Sequence, residues 1–280
     1  MTRACVIGWP IGHSRSPIIH NYWLSLYRIA GTYTKLAIPP DELKAFLLTI
    51  QSSEFVGCNV TLPHKEAAFS VVKPADDDTR RIRAVNTVYI RDGTTYGTNT
   101  DSYGFLQNLR EHAPKTKLKN HKAVILGAGG SALAVATSLL DQGVSEIAIV
   151  NRTLEKAERM CRQLGTRLCP VNWSDRNLAL ADCALLVNTT SLGMTSQPPL
   201  EIDLARLPED STVADIVYSP LITPLLHQAR ARALMTVPGL GMLLYQAVPG
   251  FALWFGTTPT VTPELYDLVA RDLDPTYVRC

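Results

Sequence analysis

Residues 122–152 read KAVILGAGGSALAVATSLLDQGVSEIAIVNR, and the architecture of the chain follows from them. Ala123–Leu126 is an apolar run of strand length that ends on a glycine. The turn from Gly127 to Ala132 comes next, then an alanine-rich helical pattern to about Leu140. Gly143 stops that helix, and Ile147–Val150 predicts a second strand. This strand–turn–helix–strand succession has the length of a dinucleotide-binding unit. Gly127 permits the tight turn, Gly129 lets backbone approach a pyrophosphate, and Ala132 lets the helix lie close to the sheet. The start of the helix then points unpaired N–H groups and a partial positive charge at the phosphates.

The end of the second strand selects the dinucleotide. An NAD site expects a carboxylate there, about 20 residues past the glycines, to accept from the ribose 2′-hydroxyl. Here Asn151, Arg152 and Thr153 follow the strand, with Lys156 one helical step further. A guanidinium, a hydroxyl and an ammonium suit a 2′-phosphate, and Arg also stacks on adenine. NADP is the expected cofactor.

The 280 residues predict two domains. Hydrophobic content of 46% and charged content of 19% describe an ordinary globular chain with an ample core. A net charge of +2, with its lysines and arginines dispersed, argues against a nucleic-acid partner. The six cysteines show no Cys-x-x-Cys spacing and no histidine at metal-ligand distance, so free thiols and no metal are expected. Ala233–Pro263 carries no charge, but its prolines and glycines break it too often for a membrane span, and a buried helix is expected. The first residues lack the long apolar region of a signal peptide, so the chain reads as cytoplasmic.

Ahead of the dinucleotide unit, Ala4–Gly8 predicts a strand that runs into a turn-rich segment carrying Ser14 and Ser16, then the helix Ile18–Tyr27. A helix cap accounts for one of the two serines, not for both. A strand end delivers Asn59 and Thr61 to one side, by the period of two. Pro63 ends that strand, and Lys65 opens a helix against its dipole, the unfavourable end for an ammonium. Such a place suits a general acid or base. Ala84–Ile90 predicts a strand holding Asn86, Arg91–Gly93 a hairpin turn, and Asp101 a cap on the helix Ser102–Leu109. Strands alternate with helices here too, so this half is a second open α/β sheet. Its strand ends gather hydroxyls, one amide and a possible acid/base pair, an inventory that fits a small polyol.

In the second half, Ala184–Val187 predicts a strand leading to Thr189 and other small polar residues at the cofactor's ribose and nicotinamide. Thr212–Ile216 predicts another strand, followed by Tyr218, and Gly239 opens the uncharged helix that carries Gln246.

These residues fall in GHSRSPIIHN (12–21), NVTLPHKEAA (59–68), AVNT (84–87), GTNTD (97–101), GAGGSA (127–132), NRT (151–153), NTTSLGM (188–194), DIVYSPLITPLL (215–226) and GLGMLLYQA (239–247). Together, in this order, they resemble the shikimate dehydrogenase family, NADP-dependent enzymes of aromatic amino-acid (chorismate) biosynthesis. The resemblance implies two open α/β domains, with residues 1–101 binding substrate and 102–239 forming a Rossmann-like NADP domain. Helices in 240–280 would return to the first domain. It implies that Ser14, Ser16, Thr61, Lys65, Asn86, Asp101 and Gln246 bind shikimate or 3-dehydroshikimate, with Tyr218 nearby. Lys65 and Asp101 would be the catalytic pair. NADP would lie along Gly127, Ala128, Gly129, Gly130 and Ser131, and along Asn151, Arg152, Thr153 and Lys156. Thr189, Ile216 and Gly239 would sit near its ribose and nicotinamide, and Asp77 falls where some members contact cofactor. The expected assembly is a monomer or homodimer.

The chain departs from the family pattern at Arg83, where a glycine is common, at Ser102 and Tyr103 after the aspartate, and at Pro238 and Pro249 flanking Gln246. Three rivals have features against them. An NAD-linked quinate/shikimate enzyme would want an acid where Arg152 stands. A related folate dehydrogenase would not need the two serines. A non-catalytic NADP-binding module would have no use for Lys65 with Asp101.

Overall fold

The computed structural model describes residues 1–279, which divide into two compact units. Residues 1–101 with 246–269 form the first, and 102–245 with the chain from Ala270 onward form the second.

The first unit runs β1 (Thr2–Gly8), α1 (Ser16–Leu26), β2 (Gly31–Ala37), α2 (Leu43–Thr49), β3 (Phe55–Val60), α3 (Lys65–Phe69), β4 (Lys73–Pro74), α4 (Asp77–Ile82), β5 (Thr87–Arg91) and β6 (Thr94–Thr98). Its sheet has the order β2-β1-β3-β5-β6-β4. β1 lies parallel to β2 and β3, and β5 is antiparallel to both β3 and β6. The C-terminal ends of β1 and β3, the start of β5 and the end of β6 therefore share one edge of the sheet. Asp92 and Gly93 both adopt positive φ (50° and 66°), the tight hairpin that an Asp-Gly pair favours. Side chains alternate across the sheet. Cys5, Ile7, Cys58, Val60 and Val88 pack against Leu43 and Leu47 of α2, while Ala4, Val6 and Tyr33 face Trp254.

Arg83 caps α4 in the left-handed region at φ 56°. That conformation accounts for the glycine expected there, since only glycine adopts it without a Cβ penalty. Its guanidinium lies 5.7 Å over the Phe69 ring.

The second unit contains α5 (Asp101–His112, all but its first residue), β7 (Lys122–Leu126), α6 (Gly130–Asp141), β8 (Glu146–Asn151), α7 (Leu154–Leu164), β9 (Leu168–Asn172), β10 (Cys183–Asn188), β11 (Thr212–Asp215), α8 (Pro224–Ala231) and β12 (Met235–Val237). The sheet order β12-β11-β10-β7-β8-β9, parallel throughout, is that of the doubly wound dinucleotide fold. Ile125, Ile149 and Val187 turn to α6 and α7, and Val124, Ala148 and Leu186 turn to α8. Both faces are covered, so these strands read as unbroken apolar runs rather than alternating ones. Each buried Leu or Ile contributes about 1.5–3 kcal/mol.

α9 (Gly239–Phe255) and α10 (Pro263–Leu273) close the chain. The helix expected in the uncharged segment is α9, and it runs on through Pro249 rather than ending there. Among the described residues no helix is long and apolar enough to cross a membrane.

Candidate active site

In the first unit, backbone topology assembles the polar groups. β1 leads to the loop with Ser14 and Ser16, β3 to Thr61 and Lys65, and β6 to Asp101, while Asn86 precedes β5. Neither serine is the N-cap of α1. Ser16 is its first residue, Arg15 stands in the cap position without a side-chain bond, and Ser14 Oγ accepts from the Ser16 N–H at 3.3 Å. The two hydroxyls are themselves 3.3 Å apart. Ser14 Oγ thus meets one free N–H at the helix start, and capping does not account for Ser16.

Lys65 is the first residue of α3. The preceding His64 is buried, and its Nε2 donates to the Ile38 carbonyl at 2.7 Å. The Lys65 carbonyl accepts from the Val85 N–H at 2.9 Å. With its backbone fixed on both sides, Lys65 Nζ donates to Asp101 Oδ2 at 2.6 Å, the side chains 16% and 2% exposed.

Asp101 does not cap α5 as expected. It opens the helix, and its N–H is taken by Asn99 Oδ1 at 3.0 Å. Its carboxylate is left for Lys65 on one oxygen and for Asn86 Nδ2, at 2.8 Å, on the other. Asn86 Nδ2 also reaches Thr100 Oγ1 at 3.0 Å and Gln246 Oε1 at 3.4 Å, while its Oδ1 accepts from the Thr100 N–H at 2.9 Å. The Gln246 carbonyl accepts from Thr100 Oγ1 at 2.8 Å. The structure thus joins Lys65, Asp101, Asn86 and Gln246 in one network, buried at Asp101 and Asn86 and partly exposed at Lys65 and Gln246. An ammonium held by a desolvated carboxylate and itself partly open to solvent is suited to passing a proton.

In the second unit, strand order reverses between β7 and β10, and the pocket lies there, at the strands' carboxyl ends. The turn Gly127–Gly129 and the residues Thr189–Leu192 face each other across it, with Asn151, Arg152 and Trp173 alongside. Gly127 has φ +108°, and a Cβ there would stand 2.7 Å from Thr189 Oγ1. A Cβ on Gly129 would meet nothing within 4 Å. The protein itself leaves that space in front of α6, as a bound phosphate requires. Gly130 and Ser131 form the first turn of α6. Arg152, Thr153 and Lys156 are exposed just past β8, and Thr153 caps α7 without a side-chain bond. The residues present fit a dinucleotide carrying a 2′-phosphate.

Two glycine substitutions are expected to part company. Gly129→Ala leaves the melting temperature near wild type and weakens NADP binding at least about tenfold, because its methyl occupies the ligand's space. Gly127→Ala costs about 1–3 kcal/mol of stability through its backbone and the Thr189 contact. Calorimetry and thermal melts distinguish them, and unchanged NADP affinity in Gly129→Ala would remove the turn from the pyrophosphate seat.

The remaining predicted residues are not among those lining that pocket. Ile216 and Gly239 do meet, since a Cβ on Gly239 would lie 2.5 Å from the Ile216 carbonyl oxygen, and that contact alone demands glycine. Tyr218 is half-buried in the second unit, three residues beyond β11. Asp77 belongs to the first unit, where it is exposed and pairs with Arg80 at 2.6 Å.

Asp215, at the end of β11, escapes sequence reasoning altogether. Its buried carboxylate accepts from Asn188 Nδ2 (3.0 Å), the Val217 N–H (3.0 Å) and Thr223 Oγ1 (2.7 Å). Asn188 in turn binds the N–H and hydroxyl of Thr190 and the Leu192 carbonyl, so Asp215 shapes the pocket wall. Burial outweighs these neutral donors and pushes its pKa up to about 7. A carboxyl that titrates higher folded than unfolded withdraws stability as pH rises from about 4 through about 7. Asp215→Asn lacks that loss. Between pH 5 and 8 its stability relative to wild type should gain roughly 2–3 kcal/mol, read from urea unfolding. A difference independent of pH would contradict the buried, titrating carboxyl.

The doubly wound sheet, its glycine turn and the buried lysine–carboxylate pair define a dinucleotide-dependent oxidoreductase of two α/β units. Three family models match: the shikimate dehydrogenase substrate binding domain over residues 6–88, shikimate/quinate 5-dehydrogenase over 109–237, and the shikimate 5′-dehydrogenase C-terminal domain over 239–262. The NADP(+) shikimate dehydrogenase of Methylocella silvestris is 52% identical over 272 residues, 97% of each chain. The chain belongs to the shikimate dehydrogenase family. Among solved structures, shikimate 5-dehydrogenase of Thermus thermophilus, in complex with NADP(H) and shikimate, is similar at a TM-score of 0.84 and 34% identity. That match covers 98% of this chain and 100% of the other. Quinate dehydrogenase of Corynebacterium glutamicum, in complex with NAD, reaches 0.88 at 29% identity, covering 96% and 98%.

Proposed function

We propose that the protein catalyses the reversible, NADP-linked reduction of 3-dehydroshikimate to shikimate in aromatic amino-acid biosynthesis. The observation that carries the chemistry is the Lys65–Asp101 pair, 2.6 Å apart and held by Asn86. When bound, NADPH supplies a hydride to C3 of the substrate. Gly127, Ala128, Gly129, Gly130 and Ser131 hold its pyrophosphate, and Arg152, Thr153 and Lys156, with Asn151, hold its 2′-phosphate. Thr189, Ile216 and Gly239 serve the nicotinamide end.

Reduction places negative charge on the carbonyl oxygen, and Lys65 Nζ donates the proton that neutralises it. In oxidation the same amine accepts the hydroxyl proton. Asp101 orients the ammonium and offers its carboxylate to a ring hydroxyl. Ser14, Ser16, Thr61, Asn86 and Gln246 supply the hydroxyls and amides that a polyhydroxylated ring acid needs, and Tyr218 joins them. Asp77, exposed and ion-paired with Arg80, remains a proposed cofactor contact. We place the enzyme in the cytoplasm, consistent with thiols that are free at Cys5, Cys58, Cys161, Cys169 and Cys183.

The test is product identification. Purified protein given 3-dehydroshikimate and NADPH should yield shikimate in equal amount to the NADP formed. Failure to consume 3-dehydroshikimate would remove the substrate assignment.

A further inference from the structure

The pocket of the second unit has one wall that no dinucleotide motif accounts for. Trp173 follows β9 and opens a single 3-10 turn, Trp173–Asp175. β9 pairs with β8, register Asn151↔Asn172, so the strand ends carrying Arg152 and Trp173 are neighbours. Both residues line the pocket.

The other tryptophans are differently employed. Trp23 and Trp254 are buried, each with its indole N–H on a backbone carbonyl, and Trp9 is exposed in the first unit. Trp173 is only partly buried, packing against the apolar core of the second unit while it also lines the pocket. Its ring is steadied by the Arg176 guanidinium, 5.3 Å from the centroid. That guanidinium is itself fixed, donating to the Trp173 carbonyl at 2.9 Å and to the Glu201 carbonyl at 2.7 Å. A large aromatic ring is thus held at a pocket surface, beside the residue that meets the 2′-phosphate.

With the pyrophosphate at Gly127–Gly129 and the 2′-phosphate at Arg152, what remains of that half of the cofactor is the adenine base. Adenine is flat and uncharged, and its π-face stacks on aromatic side chains. We infer that Trp173 forms the aromatic wall of the adenine subsite, a binding and specificity residue for the adenine half of the dinucleotide. This rests on the NADP reading given above.

The experiment uses 2′,5′-ADP, which carries adenine and the 2′-phosphate but no nicotinamide. Calorimetry and intrinsic fluorescence are compared for wild type, Trp173→Leu and Trp173→Phe. Loss of the stack should raise the dissociation constant about tenfold in Trp173→Leu and only about two- to threefold in Trp173→Phe, which keeps a ring. The ligand should quench wild-type fluorescence, and the quench should vanish in both variants. If wild type binds 2′,5′-ADP and Trp173→Leu binds it equally well, the adenine wall is overturned. Equal weakening in both variants with lowered melting temperatures would also overturn it, by reducing Trp173 to a packing residue. Wild type that binds no 2′,5′-ADP would instead overturn the NADP reading beneath it.

Discussion

Lys65→Ala should lower turnover by a factor of about 10²–10⁴ while the KM for shikimate stays within a few-fold of wild type. On the proposed mechanism Lys65 would give its proton only as charge develops on the carbonyl oxygen, while ground-state binding would be spread over two serines, a threonine and two amides. Removing the ammonium leaves the buried Asp101 carboxylate with Asn86 as its remaining donor at 2.8 Å, which costs stability as well. Lys65→Met keeps the side-chain volume and so separates packing from chemistry. Turnover near wild type in both variants would end the assignment of Lys65.

Arg152→Ala combined with Lys156→Ala should raise the KM for NADP about 10–100-fold and leave that for NAD almost unchanged. A charge-assisted hydrogen bond from Arg to phosphate contributes about 1.5–3 kcal/mol. Both side chains are exposed, so the difference between wild type and variant should narrow as salt is raised. Parallel loss of NADP and NAD binding would show that the two residues hold the turn rather than read the 2′-phosphate.

The dinucleotide unit was legible because its signals are local. Gly127, Gly129, Ala132 and Gly143 mark turn, approach, packing and stop within 17 residues, and both strands are apolar on both faces. Leu154–Leu164 and Pro263–Leu273 are helices whose apolar residues likewise recur at local helical spacing. The β9 and β12 strands are not legible in this way: Pro170 interrupts one, and the other has only three residues.

In the first unit, residue types were readable and their partners were not. Asp101 reads as a helix cap, because nothing in GTNTD reveals that Asn99 takes over the bond and releases the carboxylate to Lys65. Ser16 reads as a cap for want of the knowledge that it already lies inside α1. Asp215 looks like a strand-end residue, and only the fold brings Asn188 and Thr223 around it. His20 looks like any polar helix residue, yet it is buried and stacks on Tyr33 at 4.0 Å. Tyr33 in turn donates to Asn59 at 2.5 Å. Contacts across tens of residues leave no periodic trace in the chain.

Initial rates of nicotinamide reduction with shikimate and with quinate, each with NADP and with NAD, test the Lys65 and Arg152 assignments together. Shikimate should turn over rapidly with NADP and poorly in the other three combinations. Preference for quinate with NAD would contradict that expectation, leaving the fold and Lys65 in place while removing the role given to Arg152.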